Sequence, residues 1–158
     1  MQANRTYPSA EELQKQCSIG RAVDVIGDAW TFLIIRELFW KSTRFDQLSQ
    51  ATGIASNILS NRLRKLLAAE IITKTASSED ARRFDYALTP KGLELFPVIM
   101  TMMSWGDRWT SGDKGPLVEL KHLDCGKKTK PGLECSSCGA RLAPGAIRTH
   151  FAKAYRLN

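Results

Sequence analysis

The stretch from Ala55 to Glu70 constrains this chain more than any other. Read at helical period, Leu59, Leu63, Leu66 and Leu67 fall on one stripe, the spacing of a helix face turned to a core. The opposite face carries Asn57, Ser60, Asn61 and Arg64, short polar groups ending in a long cation, with Arg62 and Lys65 flanking it. A solvated helix ordinarily mixes Glu with Lys, yet no acidic residue occurs here before Glu70. Amides and hydroxyls suit base edges, and a guanidinium suits guanine or phosphate, so the face fits a helix that reads DNA. An ordinary basic surface helix would look the same in isolation. The flanking segments decide between the two.

Upstream, Arg44–Gly53 reads as a short helix with Gly53 just past its end, and the next helix begins three residues later. Two helices joined by a tight glycine-containing turn make a helix-turn-helix. Asp28 is a good N-cap for Ala29–Trp40, a segment apolar almost all round and expected to be deeply buried. Residues 1–8 read as a loose arm. Ser9 and Glu12 form a capping-box-like start for a first helix running through Leu13 and Cys17 towards Val25, weakened by Gly20.

Downstream the period changes. Ile71–Ala76 and Arg82–Leu88 are β-branched or aromatic runs around a polar tip, a hairpin placed as a wing. Its Arg82 and Arg83 stand where a wing reaches the flanking backbone or minor groove, although a solvated loop charge is the plainer reading. Thr89-Pro90 starts a last helix expected to reach about Ser111, kinked or restarted at Pro97. Leu95, Ile99, Met102 and Trp109 form its seam, widened by Phe96, Met100 and Met103. That is more apolar surface than a small winged helix covers, which predicts a dimerisation helix, compatible with packing on the first helix. Trp30 and Trp105 are expected in the core, with a small-molecule pocket beside them as the alternative.

The 158 residues, 43% hydrophobic, suffice for one core plus an appendage. The division expected is 1–16 as arm and helix start, 17–112 as the DNA-binding and dimerising domain, and 113–158 as a small basic tail. No apolar run approaches a membrane span and no signal-peptide pattern opens the chain, so a cytoplasmic protein is expected. The net charge of +7 favours a polyanionic partner; residues 1–112 carry +2 of it and residues 113–158 carry +5. The fold class predicted is α+β, mainly α: a winged helix-turn-helix with N- and C-terminal dimerisation helices and a small β-ribbon.

Residues 17–110 resemble the HxlR-type family of bacterial winged-helix transcriptional regulators. The resemblance rests on Cys17, Asp24–Thr31, Leu33–Leu38, Arg44–Leu48, Leu59–Leu66 and Tyr86–Gly92, in that order along the chain. It implies a homodimer on pseudo-palindromic double-stranded operator DNA, often a repressor, with the DNA-reading helix mapped onto Ser56–Leu67. The chain departs from the pattern at Ala29, where members commonly carry Lys before the Trp. The expected base-edge residues are Asn57, Ser60, Asn61 and Arg64, and Ser56 is a further expected DNA-binding residue. Arg62, Lys65, Arg44, Arg82 and Arg83 are the expected phosphate contacts.

Cys17 has two readings. Some members of the family use a cysteine here as a thiol switch, and Arg21 one turn away favours a thiolate; a lone cysteine beside an apolar helix is otherwise a packing residue. The tail holds two copies of a ligand-x-x-Cys-Gly pattern, His122-Leu-Asp-Cys125-Gly126 and Cys135-Ser-Ser-Cys138-Gly139. Each has the form of a zinc knuckle, and His122, Cys125, Cys135 and Cys138 would hold one structural zinc per chain in a closed tetrahedral set. A Cys135/Cys138 redox dithiol and a ribbon with idle thiols are the alternatives, and His150 is a spare ligand at poor spacing. No paired catalytic carboxylates, nucleophile–base arrangement or phosphate loop is present, so an enzyme is not expected. The rivals to a DNA-binding regulator are a protein-interaction module without DNA binding and a thiol or zinc redox sensor switched through the tail.

Overall fold

The computed structural model describes residues 15, 17–77, 80, 82–143 and 145–147. The helix start expected at Ser9 and the spare ligand His150 lie outside them. The chain divides into two compact units, Ser9–Ile99 and one built on Met100–Asn158. The division falls inside the last helix, upstream of the 112/113 boundary expected from composition.

In the first unit, helix α1 spans Ser18–Ile26 and α2 spans Ala29–Phe39. Cys17 was expected inside a longer helix but is extended (φ −69°, ψ 123°) and stands as the residue before α1. Asp28 caps α2 as its sequence predicts: Oδ1 accepts the Thr31 N–H at 3.0 Å and Oδ2 the Thr31 hydroxyl at 2.7 Å. Burial of α2 is one-sided rather than complete. Thr31, Ile34, Ile35, Glu37 and Leu38 face inward, while Trp30 and Trp40, at the two ends, are exposed. The buried Glu37 carboxylate is satisfied by Arg36 (Nη2 at 2.6 Å, Nε at 2.9 Å) and by the Ser42 hydroxyl at 3.3 Å.

Helix α3 (Phe45–Thr52) starts where Gln47 Oε1 accepts the N–H groups of Thr43 and Arg44. It ends at Gly53, whose φ of 69° is the left-handed conformation a glycine adopts without strain. Helix α4 (Ser56–Ala68) follows after a three-residue turn in which Ile54 is buried. Leu59, Leu63 and Leu66 are buried, each stabilising the fold by about 1.5–3 kcal/mol. Helix α2 packs on α3, α4 and the second strand, and α4 packs on the first strand.

Helix α4 closes with the Ile71 N–H on the Leu66 carbonyl and the Glu70 N–H on the Leu67 carbonyl, both 3.0 Å, a Schellman closure. Glu70 occupies its left-handed position at φ 57°. Strands β1 (Ile72–Ala76) and β2 (Phe84–Leu88) pair antiparallel with Lys74 opposite Tyr86. The second strand is shorter than expected: Arg82 and Arg83 lie in the turn, because Asp80 Oδ1 accepts the Arg82 N–H at 3.0 Å. The hairpin is tied to the helices by the Tyr86 N–H on the Thr43 carbonyl and by an isolated bridge from Arg44 to Asp85.

A single helical turn, α5 (Pro90–Leu93), is capped by Thr89, and α6 (Phe96–Thr110) begins after a break at residues 94–95. The interruption expected at Pro97 is therefore a restart at residues 94–95, and Pro97 takes the second position of the new helix, in the first turn, where its missing N–H costs no intrahelical bond. In the second unit α6 continues to a 3-10 turn at Gly112–Lys114 and then the tail, which holds two isolated bridges, Lys121 with Lys128 and Glu134 with Arg141. Among the described residues no helix is long and apolar enough to cross a membrane.

Candidate nucleic-acid interface

The three buried leucines fix how α4 faces. With Leu59, Leu63 and Leu66 inward, Ser56, Asn57, Ser60, Asn61, Arg64 and Lys65 are all exposed on the helix. The face carries no acid along its length. Asn57 Oδ1 accepts the N–H of Ile58 at 2.9 Å, a local bond that engages the amide oxygen and not the amide N–H donors of this exposed side chain.

Arg62 stands apart from this group. Its Nε lies 2.9 Å from Asp28 Oδ2, and its side chain is only 22% exposed against 33% for the aspartate. The N–H is not aimed along that line, so the pair is an ion pair by distance rather than a directed hydrogen bond. Arg62 thus holds α4 against the start of α2 instead of standing free to meet phosphate. Burial opposes ionisation of Asp28, but the Thr31 hydroxyl, the Thr31 N–H and Arg62 outweigh it and lower its pKa.

The expected wing cations are engaged more loosely. Arg82 Nε is 3.3 Å and Arg83 Nε 3.8 Å from the Asp80 carboxylate, and both side chains remain largely exposed. The Arg82 N–H and the Arg82 guanidinium, with Arg83 behind them, lower the Asp80 pKa, so this acid stays charged at the tip. Arg44 sits 3.8 Å from Asp85 and is three-quarters covered. Lys74, not singled out by the sequence, lies over the Phe84 ring at 3.7 Å.

A cleft of about 410 Å³ opens between the start of α3 and the wing, lined by Arg44, Arg82 and Arg83, by one acid, Asp46, and by Phe45, Phe84 and Tyr86. It gathers three cations from segments far apart in sequence. No local pattern could have brought Arg44 to the wing pair; the signal is the bridge of Arg44 to Asp85.

Cys17 is exposed at the start of α1. The N–H groups of Gly20 and then Ile19 face its sulfur, without closing a regular capping bond, and hold the thiol below its ordinary pKa despite some burial. Arg21, the residue expected to favour the thiolate, adds least. Its guanidinium is bonded to the Lys15 carbonyl and the Ser18 hydroxyl. In the tail, His122 Nδ1 lies 3.4 Å from Cys125 Sγ, and Cys135 and Cys138 form a second pair. His122 Nε2 also lies 3.7 Å from Asp124 Oδ2, and among the described residues no three His, Cys, Asp or Glu side chains are placed to hold a metal ion.

Helix α6 departs from expectation in one respect. Ile99 and Met100 are buried, but Met102 and the tryptophans at 105 and 109 are not, with Trp105 63% and Trp109 67% exposed. Trp105 is therefore no core residue of the single chain, and neither is Trp30.

Comparison with known proteins bears on this geometry. The family model for HxlR-like helix-turn-helix proteins matches residues 25–114. An HTH-type transcriptional regulator of Mycobacterium tuberculosis, itself uncharacterised, is 39% identical over 125 residues, covering 79% of each chain. The crystal structure of PA1607, a candidate transcription factor, superposes with a TM-score of 0.78 at 30% identity over 89% of this chain and 98% of its own. The redox regulator HypR in its reduced form is 25% identical with a TM-score of 0.53, over 57% of this chain and 90% of that one.

Proposed function

Because this chain belongs to the HxlR-like helix-turn-helix family, and is a transcriptional regulator of that type, we propose that it binds pseudo-palindromic operator DNA as a homodimer and represses transcription. Each α4 enters a major groove, the two about 34 Å apart on successive turns. The observation that carries this reading is the acid-free exposed face of α4. Asn57, Ser60, Asn61 and Arg64 read base edges, while Ser56 and Lys65 meet phosphate. Arg82 and Arg83 contact the flanking backbone through the wing, with Arg44 at the base of the same cleft. Asp80 is a weak competitor for the wing cations, since solvent screens an exposed ion pair.

The homodimer is supported by the exposed apolar residues Met102, Trp105 and Trp109 of α6 and by Ile19 and Val23 of α1. The experiment is a double substitution, Asn61→Ala with Arg64→Ala, read by gel shift on genomic fragments and by the mass of the protein in solution. The reading predicts a loss of at least about tenfold in affinity with the dimer intact. Undiminished binding would favour a protein-interaction module instead.

A second reading concerns the signal, and the exposed, acidified Cys17 favours it. Attack of its thiolate on a peroxide would give a sulfenic acid and release the second oxygen as hydroxide, altering the start of α1. HypR, similar in fold, is described as a redox regulator. Cys17→Ser is expected to abolish oxidant-dependent release of DNA; release that persists would exclude this thiol.

A further inference from the structure

The tail is an internal repeat in backbone as well as in sequence. The Gly126 N–H bonds the His122 carbonyl at 2.8 Å, and the Gly139 N–H bonds the Cys135 carbonyl at 2.8 Å. The His122 N–H meets Lys127 at 2.9 Å, and the Cys135 N–H meets Ala140 at 2.8 Å. Outside these, Thr129 bonds back to Leu120 and Leu142 to Leu133, each flanking one of the two bridges. Gly126 (φ 66°) and Gly139 (φ 71°) take the same left-handed conformation directly after the second donor of each turn. Two turns of the same build, each presenting a pair of metal-ligating side chains, recur thirteen positions apart.

These turns are ordered without a core. From Gly115 onwards none of the described residues of the tail is buried, and Leu117 and Leu123 are 98% and 93% exposed. A segment this short and this open lacks the apolar burial that offsets chain entropy, and small units of that kind rely on disulfides or a metal. Every cysteine is free. A disulfide could form within Cys135–Cys138 but would leave the His122–Cys125 turn unsupported.

The donor chemistry selects among metals. In a tetrahedral site with Zn–N of about 2.0–2.1 Å and Zn–S of about 2.3 Å, neighbouring ligand atoms are separated by roughly 3.5 Å. The 3.4 Å between His122 Nδ1 and Cys125 Sγ matches that edge. At the other turn the N–H groups of Ser137 and Cys138 point at the Cys135 sulfur, as they do where a sulfur carries charge towards a cation. Three thiolates and one imidazole are a soft set suited to zinc rather than to magnesium or calcium.

We propose that His122, Cys125, Cys135 and Cys138 bind one zinc ion per chain, which closes the two turns on each other and supplies the tail with the stability its burial does not. The four donors stand as two pairs in this structure, so binding requires the turns to approach; His122, Cys125 and Cys138 are exposed, and the only side-chain ion pair at either turn is that of His122 with Asp124 at 3.7 Å among the described residues. The site has no open position, so the ion is structural and carries no chemistry.

The test uses the full-length protein, purified from zinc-replete cells, with zinc measured per chain and cobalt(II) titrated into the metal-stripped sample. Expected are one zinc per chain and a one-to-one cobalt complex with the visible absorption of tetrahedral thiolate coordination. Cys125→Ser and Cys138→Ser lose that absorption while their helical circular dichroism is kept, and Cys17→Ser retains it. A wild type that binds neither metal overturns the proposal. So does metal that survives both tail substitutions, or a stoichiometry of one ion per two chains, which would move the site to an interface between copies.

Discussion

Arg62 and Arg64 are near neighbours on one helix, and the structure gives them opposite tasks. Arg64 faces solvent with the asparagines, whereas Arg62 turns back onto Asp28 and holds α4 in place. The folded pKa of Asp28 lies below its ordinary value, so its charge stabilises the fold fully above the unfolded carboxylate range and ceases to do so as pH falls through the lower folded value. Asp28→Asn keeps an N-capping side chain but removes the charge. It is expected to cost about 1 kcal/mol or less at neutral pH, discounted for the partial exposure of both partners, with the gap to wild type narrowing below about pH 4. Urea denaturation across that range checks the sign; a pH-independent gap would mean that the ion pair contributes nothing. The polar face of α4 is legible in the sequence because helical spacing is local. The role of Arg62 is not, because its partner lies on another helix and only packing brings the two together.

At the scale of elements, the helix-turn-helix was readable from punctuation: Asp28 and Thr89 as caps, Gly53 as a left-handed stop, Pro97 as an interruption. The start of α1 after Cys17 was not. No strong capping residue marks it, and N–H groups facing a sulfur leave no clear trace in sequence. The junction after α4 offers a paired test. A Cβ added at Gly92 would stand 2.2 Å from the Ile71 carbonyl oxygen, part of the backbone, so Gly92→Ala is expected to destabilise by about 1–3 kcal/mol. Glu70, at φ 57°, is strained where glycine would not be, so Glu70→Gly is expected to be neutral or to stabilise by up to about 1 kcal/mol. Denaturant midpoints decide both. If Gly92→Ala is tolerated without loss, α5 does not approach the end of α4 as closely as described.

For the molecule as a whole, the apolar seam of α6 was legible as surplus hydrophobicity, but which residues the chain itself would cover was not, since that depends on tertiary contacts. Ile99 and Met100 are buried within the chain, and Met102, Trp105 and Trp109 are exposed, the face on which the proposed homodimer rests. Trp105→Asp with Trp109→Asp is expected to yield a folded monomer with weakened DNA binding, measured by light scattering; a dimer that survives both charges would place the interface elsewhere. The most direct measurement of the central claim is selection of bound sequences from a random pool of duplex DNA by the wild-type protein. Enrichment of an inverted repeat with half-sites about 10–10.5 base pairs apart is the predicted result. A pool that stays random after selection would contradict sequence-specific, dimeric DNA recognition by α4.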